Sequence, residues 1–199
     1  AEFFKKARTS IANDLEKYTK ASPITKPKIM FVISTRTGGT PQTNLDLMRQ
    51  LSEIYDCYAL ASNSKRVEIL KAGAEGYEIV ESYTLSQPVK YSTHRSAEYE
   101  SLVKYLLFKY NIELLHIRHI AWHSLLLPKI AKQLLIPVVK SFHDFYAICP
   151  SVNLIDGGGV YHPDGVGTES PNPLWKDETV TPMTPTMLER WQQKMDKSL

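Results

Sequence analysis

Cysteine is nearly absent: Cys57 and Cys149 are the only two in 199 residues. Two thiols so far apart imply no disulfide framework, and such usage suits a reducing cytosol. No apolar run approaches the length that spans a bilayer, and no signal-peptide pattern occurs. Charge of one sign is not in large excess: 24 Lys and Arg against 21 Asp and Glu leave +3, with the basic residues scattered. That distribution argues against nucleic acid as a partner and leaves room for anionic ligands or peripheral contact with a membrane surface. Neither a G-x-G-x-x-G fingerprint nor a P-loop with its Lys and Ser/Thr is present, so no dinucleotide cofactor is called for. An initiating Met is missing too, and the last residues form a helical pattern, so the chain reads as part of something longer.

What is present is enough for a packed core. Hydrophobic residues make up 43% and tyrosine occurs 11 times, which rules out a largely disordered chain. The length fits one α/β domain with a tail at either end. Residues 1–27 read as an amphipathic basic helix and a proline-bearing linker, residues 28–182 as the domain with a long loop at its end, and residues 183–199 as a terminal helix.

The stretch Lys28–Pro41, KIMFVISTRTGGTP, organises the rest. Ile29–Ile33 suits a buried parallel strand. Gly38 and Gly39 let backbone approach a ligand, Thr40 is a natural N-cap, and Pro41 fits a first helical turn. A strand–glycine–helix turn presents free N–H groups to an anion, usually a phosphate. The bland alternative is that the paired glycines only relieve crowding.

Further strands are read at 56–62, 77–83, 113–117 and 138–142. Helices are read from 41 to about 54, after a Ser96 cap, over a segment ending at Leu135 with Pro128 in its first turn, and from Thr184-Pro185 onward. A helix face of Met187, Leu188, Trp191 and Met195 is expected in the last of these. Strands alternating with helices specify an α/β, Rossmann-like doubly wound parallel sheet.

Ligands of such sheets bind beyond the carboxyl ends of the strands, where the strand order reverses. That rule selects Ser34–Thr40, Arg118–His123 and His143–Tyr146. His143-Asp144 closes a strand, and Phe145 and Tyr146 are placed to stack on a sugar or base. His143 is suited to donate to a sugar hydroxyl or a developing charge, or merely to cap the strand end. His116, His119 and His123 have a metal-like spacing, but a strand and a loop do not give them a common face, so no metal is assigned. A Cys149–His143 nucleophilic pair is disfavoured because Cys149 precedes Pro150 in a loop with no legible oxyanion arrangement.

FVISTRTGGTPQTN, ELLHIRHIAWHSLLLPKIAKQLLIPVV and KSFHDFYAICPSVNLID together resemble the N-terminal half of a retaining family 4 glycosyltransferase with the GT-B fold. The resemblance covers about residues 28–156. It implies two Rossmann-like domains facing a cleft, the first mostly for the acceptor and the second for the nucleotide sugar. Gly38, Gly39 and Thr40 would then lie by the donor diphosphate and His143 would face the transferred sugar, with Asp144 supporting it. Arg118, His119 and Tyr146 would line the cleft. The implied partners are a nucleotide-sugar donor and a glycan or lipid-linked acceptor, met in the cytoplasm or at the inner membrane face during cell-surface polysaccharide synthesis. The nucleotide-sugar domain is expected to lie outside these 199 residues, which alone are expected to be inactive. One departure is the absence of cysteine from Tyr161–Trp175. The competing class is a non-catalytic Rossmann-like module that binds a ligand or partner.

Overall fold

β1 (Lys28–Ile33) reads KIMFVI, and in the computed structural model every residue after Lys28 is buried. The structure describes residues 25–90, 93–170 and 181–199, so the helix expected over 1–20 lies outside the described residues. β2 (Asp56–Ser62), β3 (Arg66–Ala72), β4 (Tyr77–Thr84), β5 (Leu114–Ile117) and β6 (Val138–Lys140) complete a sheet of order β4-β3-β2-β1-β5-β6. β1 pairs in parallel with β2 and β5, and β5 with β6. β3 alone runs the other way, antiparallel to both β2 and β4. The sheet is thus mostly parallel and not wholly so.

The hairpins explain that departure. Ser64 adopts φ 75°, and Asn63 Oδ1 accepts the Arg66 N–H at 2.8 Å, so β2 turns directly into β3 with no helix between them. Gly76, at φ 148°, helps turn β3 into β4, with the Gly73 N–H donated to Gly76 O at 2.7 Å.

Alternation along β1 sends Ile29, Phe31 and Ile33 to one face and Met30 and Val32 to the other. The first face packs on α1 (Gly39–Leu51) through Met48. The second packs on α2 (Ala97–Lys109) and α3 (Leu127–Gln133) through Tyr99, Val103, Leu106 and Ile130. Helices on both faces make this a Rossmann-like doubly wound layer. Each fully buried Phe, Leu, Ile or Met side chain contributes about 1.5–3 kcal/mol relative to exposure.

Local signals hold where they are chemically explicit. Ser96 Oγ accepts the Tyr99 N–H at 3.2 Å and caps α2. Pro128 sits in the first turn of α3. α4 (Pro185–Asp196) starts at a Thr184 cap, with Thr184 Oγ1 accepting the Met187 N–H at 3.3 Å. Leu188, Trp191 and Met195 are buried as expected, whereas Met187 is exposed. α1 stops at Leu51 and β6 at Lys140, leaving Ile54 and Phe142 exposed. The loop before α4 carries a two-residue ladder of β7 (Glu169–Ser170) and β8 (Thr181–Pro182). No helix among the described residues is long and apolar enough to cross a membrane.

From β1 the chain moves outward through β2, β3 and β4, then crosses back to β5 on the other side of β1. The strand order therefore reverses between β1 and β5, and that switch point sets the site.

Candidate functional site

Beyond β5 the Arg118 and His119 N–H groups both donate to Val32 O, at 3.0 and 3.1 Å, drawing the chain against the end of β1. This puts the His119 ring between Ser34, which follows β1, and Asp144, which follows β6. The Ala121 N–H donates to His119 Nδ1 at 3.1 Å, which makes Nδ1 the unprotonated nitrogen. Ser34 Oγ, 2.5 Å away, donates to the same atom, and Nε2–H donates to Asp144 Oδ2 at 2.8 Å. Asp144 Oδ1 accepts the Tyr146 N–H at 2.9 Å. Burial alone would raise the Asp144 carboxyl. The hydrogen bond from His119, with that from the Tyr146 N–H, instead holds it below its ordinary value.

The result is a hydroxyl–imidazole–carboxylate relay. Its imidazole is turned opposite to that of a hydrolase triad, with Nδ1 toward the hydroxyl and Nε2 toward the carboxylate. Ser34 Oγ keeps lone pairs for a ligand hydroxyl while its own proton points to His119.

One side of this relay opens on a crevice of about 300 Å³, lined by Ser34, Gly38, Gly39, Thr40, His119 and Asp144. Thr40 is not the N-cap, as its position before Pro41 suggested. Gly38 holds that place at φ 107°, without a side-chain cap, and Gly39 and Thr40 are the first two helical residues. Their N–H groups are the donors available to an anion, since Pro41 has none and the Gln42 N–H is bonded to Gly38 O at 3.1 Å. The two glycines also differ: Gly38 needs its positive φ and Gly39 does not, and a Cβ at either meets nothing within 4 Å. Gly38→Val is therefore expected to lower stability by about 1–3 kcal/mol through backbone strain. Gly39→Leu is expected to leave the fold intact and fill the crevice. Urea midpoints of the two variants check this, and equal losses would remove the distinction.

On the other side of His119, Arg118, Lys140 and His143 share a narrow recess of about 20 Å³ with Asp144. Arg118 Nη2 donates to Thr43 Oγ1 on α1 at 3.2 Å, and burial depresses the guanidinium's pKa. Lys140 is pushed down to about 8 by burial, partly offset by Asp144. Desolvation and then the charge of Arg118 lower His143, against the pull of Asp144, so His143 is a neutral donor at pH 7. Asp144 supports His143 through charge only, because its hydrogen bonds go to His119 and the Tyr146 N–H.

The three spaced histidines take separate partners. His116 Nε2 meets Ser141 Oγ at 2.7 Å, and His119 serves the relay. His123 lies buried between Tyr99 and Ile33 O. Tyr146 adjoins the recess but offers no exposed ring for a ligand to stack on. It is buried, its hydroxyl 2.8 Å from His94 Nε2 and its ring edge-on to Trp191. Cys149 is buried with Leu154, Met183 and Leu188, its Sγ 3.3 Å from Thr168 Oγ1, and so serves the core. Ser34 opens a turn that the strand-end rule selects, whereas Lys140 is a site residue that the rule did not select. The signal for Lys140 was a charged residue at the last position of a strand, three residues before His143.

Comparison with family models, curated proteins and solved structures found no match for this chain.

Proposed function

We propose that this chain is the acceptor-side domain of a retaining GT-B glycosyltransferase, moving a sugar from a nucleotide-sugar donor to a glycan or lipid-linked acceptor of the cell surface. The observation that supports it is a convergence at the sheet's one switch point. The glycine crevice, the Ser34–His119–Asp144 relay and the Arg118–Lys140–His143 recess all adjoin there.

Each part has a role in that reading. The Gly39 and Thr40 N–H groups and the charges of Arg118 and Lys140 stabilise the departing diphosphate. His143, neutral, donates to the sugar being transferred. The relay holds His119 in one tautomer and offers Ser34 Oγ to a substrate hydroxyl. A second, nucleotide-binding α/β domain supplies the facing wall, since transfer requires both substrates in near-attack geometry. The work would be done in the cytoplasm, with peripheral contact to the membrane where the acceptor is lipid-linked.

A donor screen on the complete gene product tests this. His143→Ala and Gly39→Leu are each expected to cut kcat about a hundredfold, the effect of losing one positioned donor or the diphosphate seat. The 199 residues alone are expected to bind donor weakly without transfer. Transfer that survives both substitutions overturns the assignment of the site. Binding without any transfer by the complete product favours a non-catalytic binding module.

A further inference from the structure

A second crevice, of about 270 Å³, lies across the 34–37 turn from the first and is lined in part by Arg36, Thr37, Asn63, Arg66 and Glu68. Glu68 sits on β3 opposite Ala61 of β2, with its side chain only 8% exposed. A carboxylate so buried inside an apolar strand is costly unless its oxygens are engaged. Arg36 Nε lies 3.3 Å from Oε2 and Arg66 Nε 3.2 Å from Oε1. The Arg66 Nε–H, however, is donated to Ser82 Oγ at 2.9 Å. Among the described residues Glu68 Oε1 therefore receives no hydrogen bond. The two arginine side chains are 47% and 56% exposed, and each guanidinium carries five N–H donors, more than Glu68 and Ser82 take up.

Two cations and one anion leave this crevice with a net positive charge, one buried acceptor in want of a donor, and surplus N–H donors. A simple anion meets repulsion from Glu68, and a cation meets both arginines. A ligand that carries a hydroxyl and an acid group on one frame answers both demands: the hydroxyl donates to Oε1, and the acid accepts from the guanidinium pair. We infer that this crevice is a binding subsite for a hydroxyl-bearing anion of the uronate or sugar-phosphate class. Ala61, opposite Glu68, keeps the floor low enough for such a frame. The inference needs no transfer chemistry at the neighbouring crevice.

Titrating the ¹⁵N-labelled chain with glucuronate, glucose 1-phosphate, glucose and inorganic phosphate tests it. Glucuronate or glucose 1-phosphate is expected to shift the amides of residues 34–37, 61–63 and 66–68, and comparing the two shows whether carboxylate or phosphate is preferred. Glucose and phosphate alone are expected to bind about tenfold more weakly or worse, as are both anionic sugars to Glu68→Gln, the loss of one charge-assisted hydrogen bond. Arg36→Ala, altering a half-exposed side chain, gives the same readout if Glu68→Gln fails to fold, and is expected to weaken the anionic sugars while leaving glucose unchanged. The inference is overturned if neither anionic sugar shifts these amides at about 10 mM. It is equally overturned if binding survives both substitutions, or if shifts appear only at residues 38–40 and 119. Binding at Glu68 by a protein that never transfers sugar would sustain it while removing the proposed transferase.

Discussion

Acidification from pH 7 to pH 4 is expected to cost the fold about 3 kcal/mol through His123 alone. His123 is wholly buried. Its Nε2–H donates to Ile33 O at 2.9 Å, and Nδ1 accepts from the Tyr99 hydroxyl at 2.5 Å. Burial lowers its pKa from an ordinary 6.5 to about 4, with only a partial counter-effect from Ile33 O. Between those values the unfolded chain takes up a proton that the folded chain refuses. Stability is therefore complete above pH 6.5 and falls as the pH drops toward 4, at about 1.4 kcal/mol per pH unit. Asp144, whose pKa is also depressed, acts with the same sign at lower pH: its contribution is present above the ordinary carboxylate range and is lost as the pH falls through and below it. His123→Gln keeps an acceptor and a donor but cannot titrate, so its urea midpoint is expected to fall far less between pH 7 and 4. Parallel pH profiles for the two proteins would refute the account.

His123 also shows why part of the site was not legible in the sequence. The spacing of His116, His119 and His123 is local information, whereas their partners Ser141, Ser34, Asp144 and Tyr99 come from other elements. The three turns at the switch point could be named because strand ends and polar turns follow from periodicity and glycine chemistry. β3 could not, because RVEILKA places buried Glu68 among Val67, Ile69 and Leu70 on a strand paired on both sides, which breaks the alternation. Its turn, Ser64-Lys65, also lacks the glycine that usually marks a hairpin. Tyr146 follows a strand end and so looks like a ligand platform. It is turned inward by Trp191, 45 residues further on, a contact that no local pattern encodes.

That contact carries the largest expected effect of a single substitution: Trp191→Ala is expected to destabilise the protein by about 3–5 kcal/mol. The indole is 5% exposed, its Nε1–H donates to Tyr146 O at 2.7 Å, and its ring meets Tyr146 and His94 at centroid distances of 5.1 Å each. Truncation removes the apolar contacts, leaves a cavity, and deprives a buried carbonyl of its donor. Trp191→Phe keeps most of the volume and loses the donor, so about 1–2 kcal/mol is expected there. The consequence reaches the site through one residue. The Tyr146 N–H holds Asp144 Oδ1, and Asp144 in turn holds the His119 tautomer. In Trp191→Ala the His119 ring resonances are expected to shift toward those of Asp144→Asn, even under conditions where the chain remains folded. In Trp191→Phe they are expected to stay near wild type. If Trp191→Ala lost stability yet kept the wild-type His119 resonances, α4 would be a core element with no part in holding the relay.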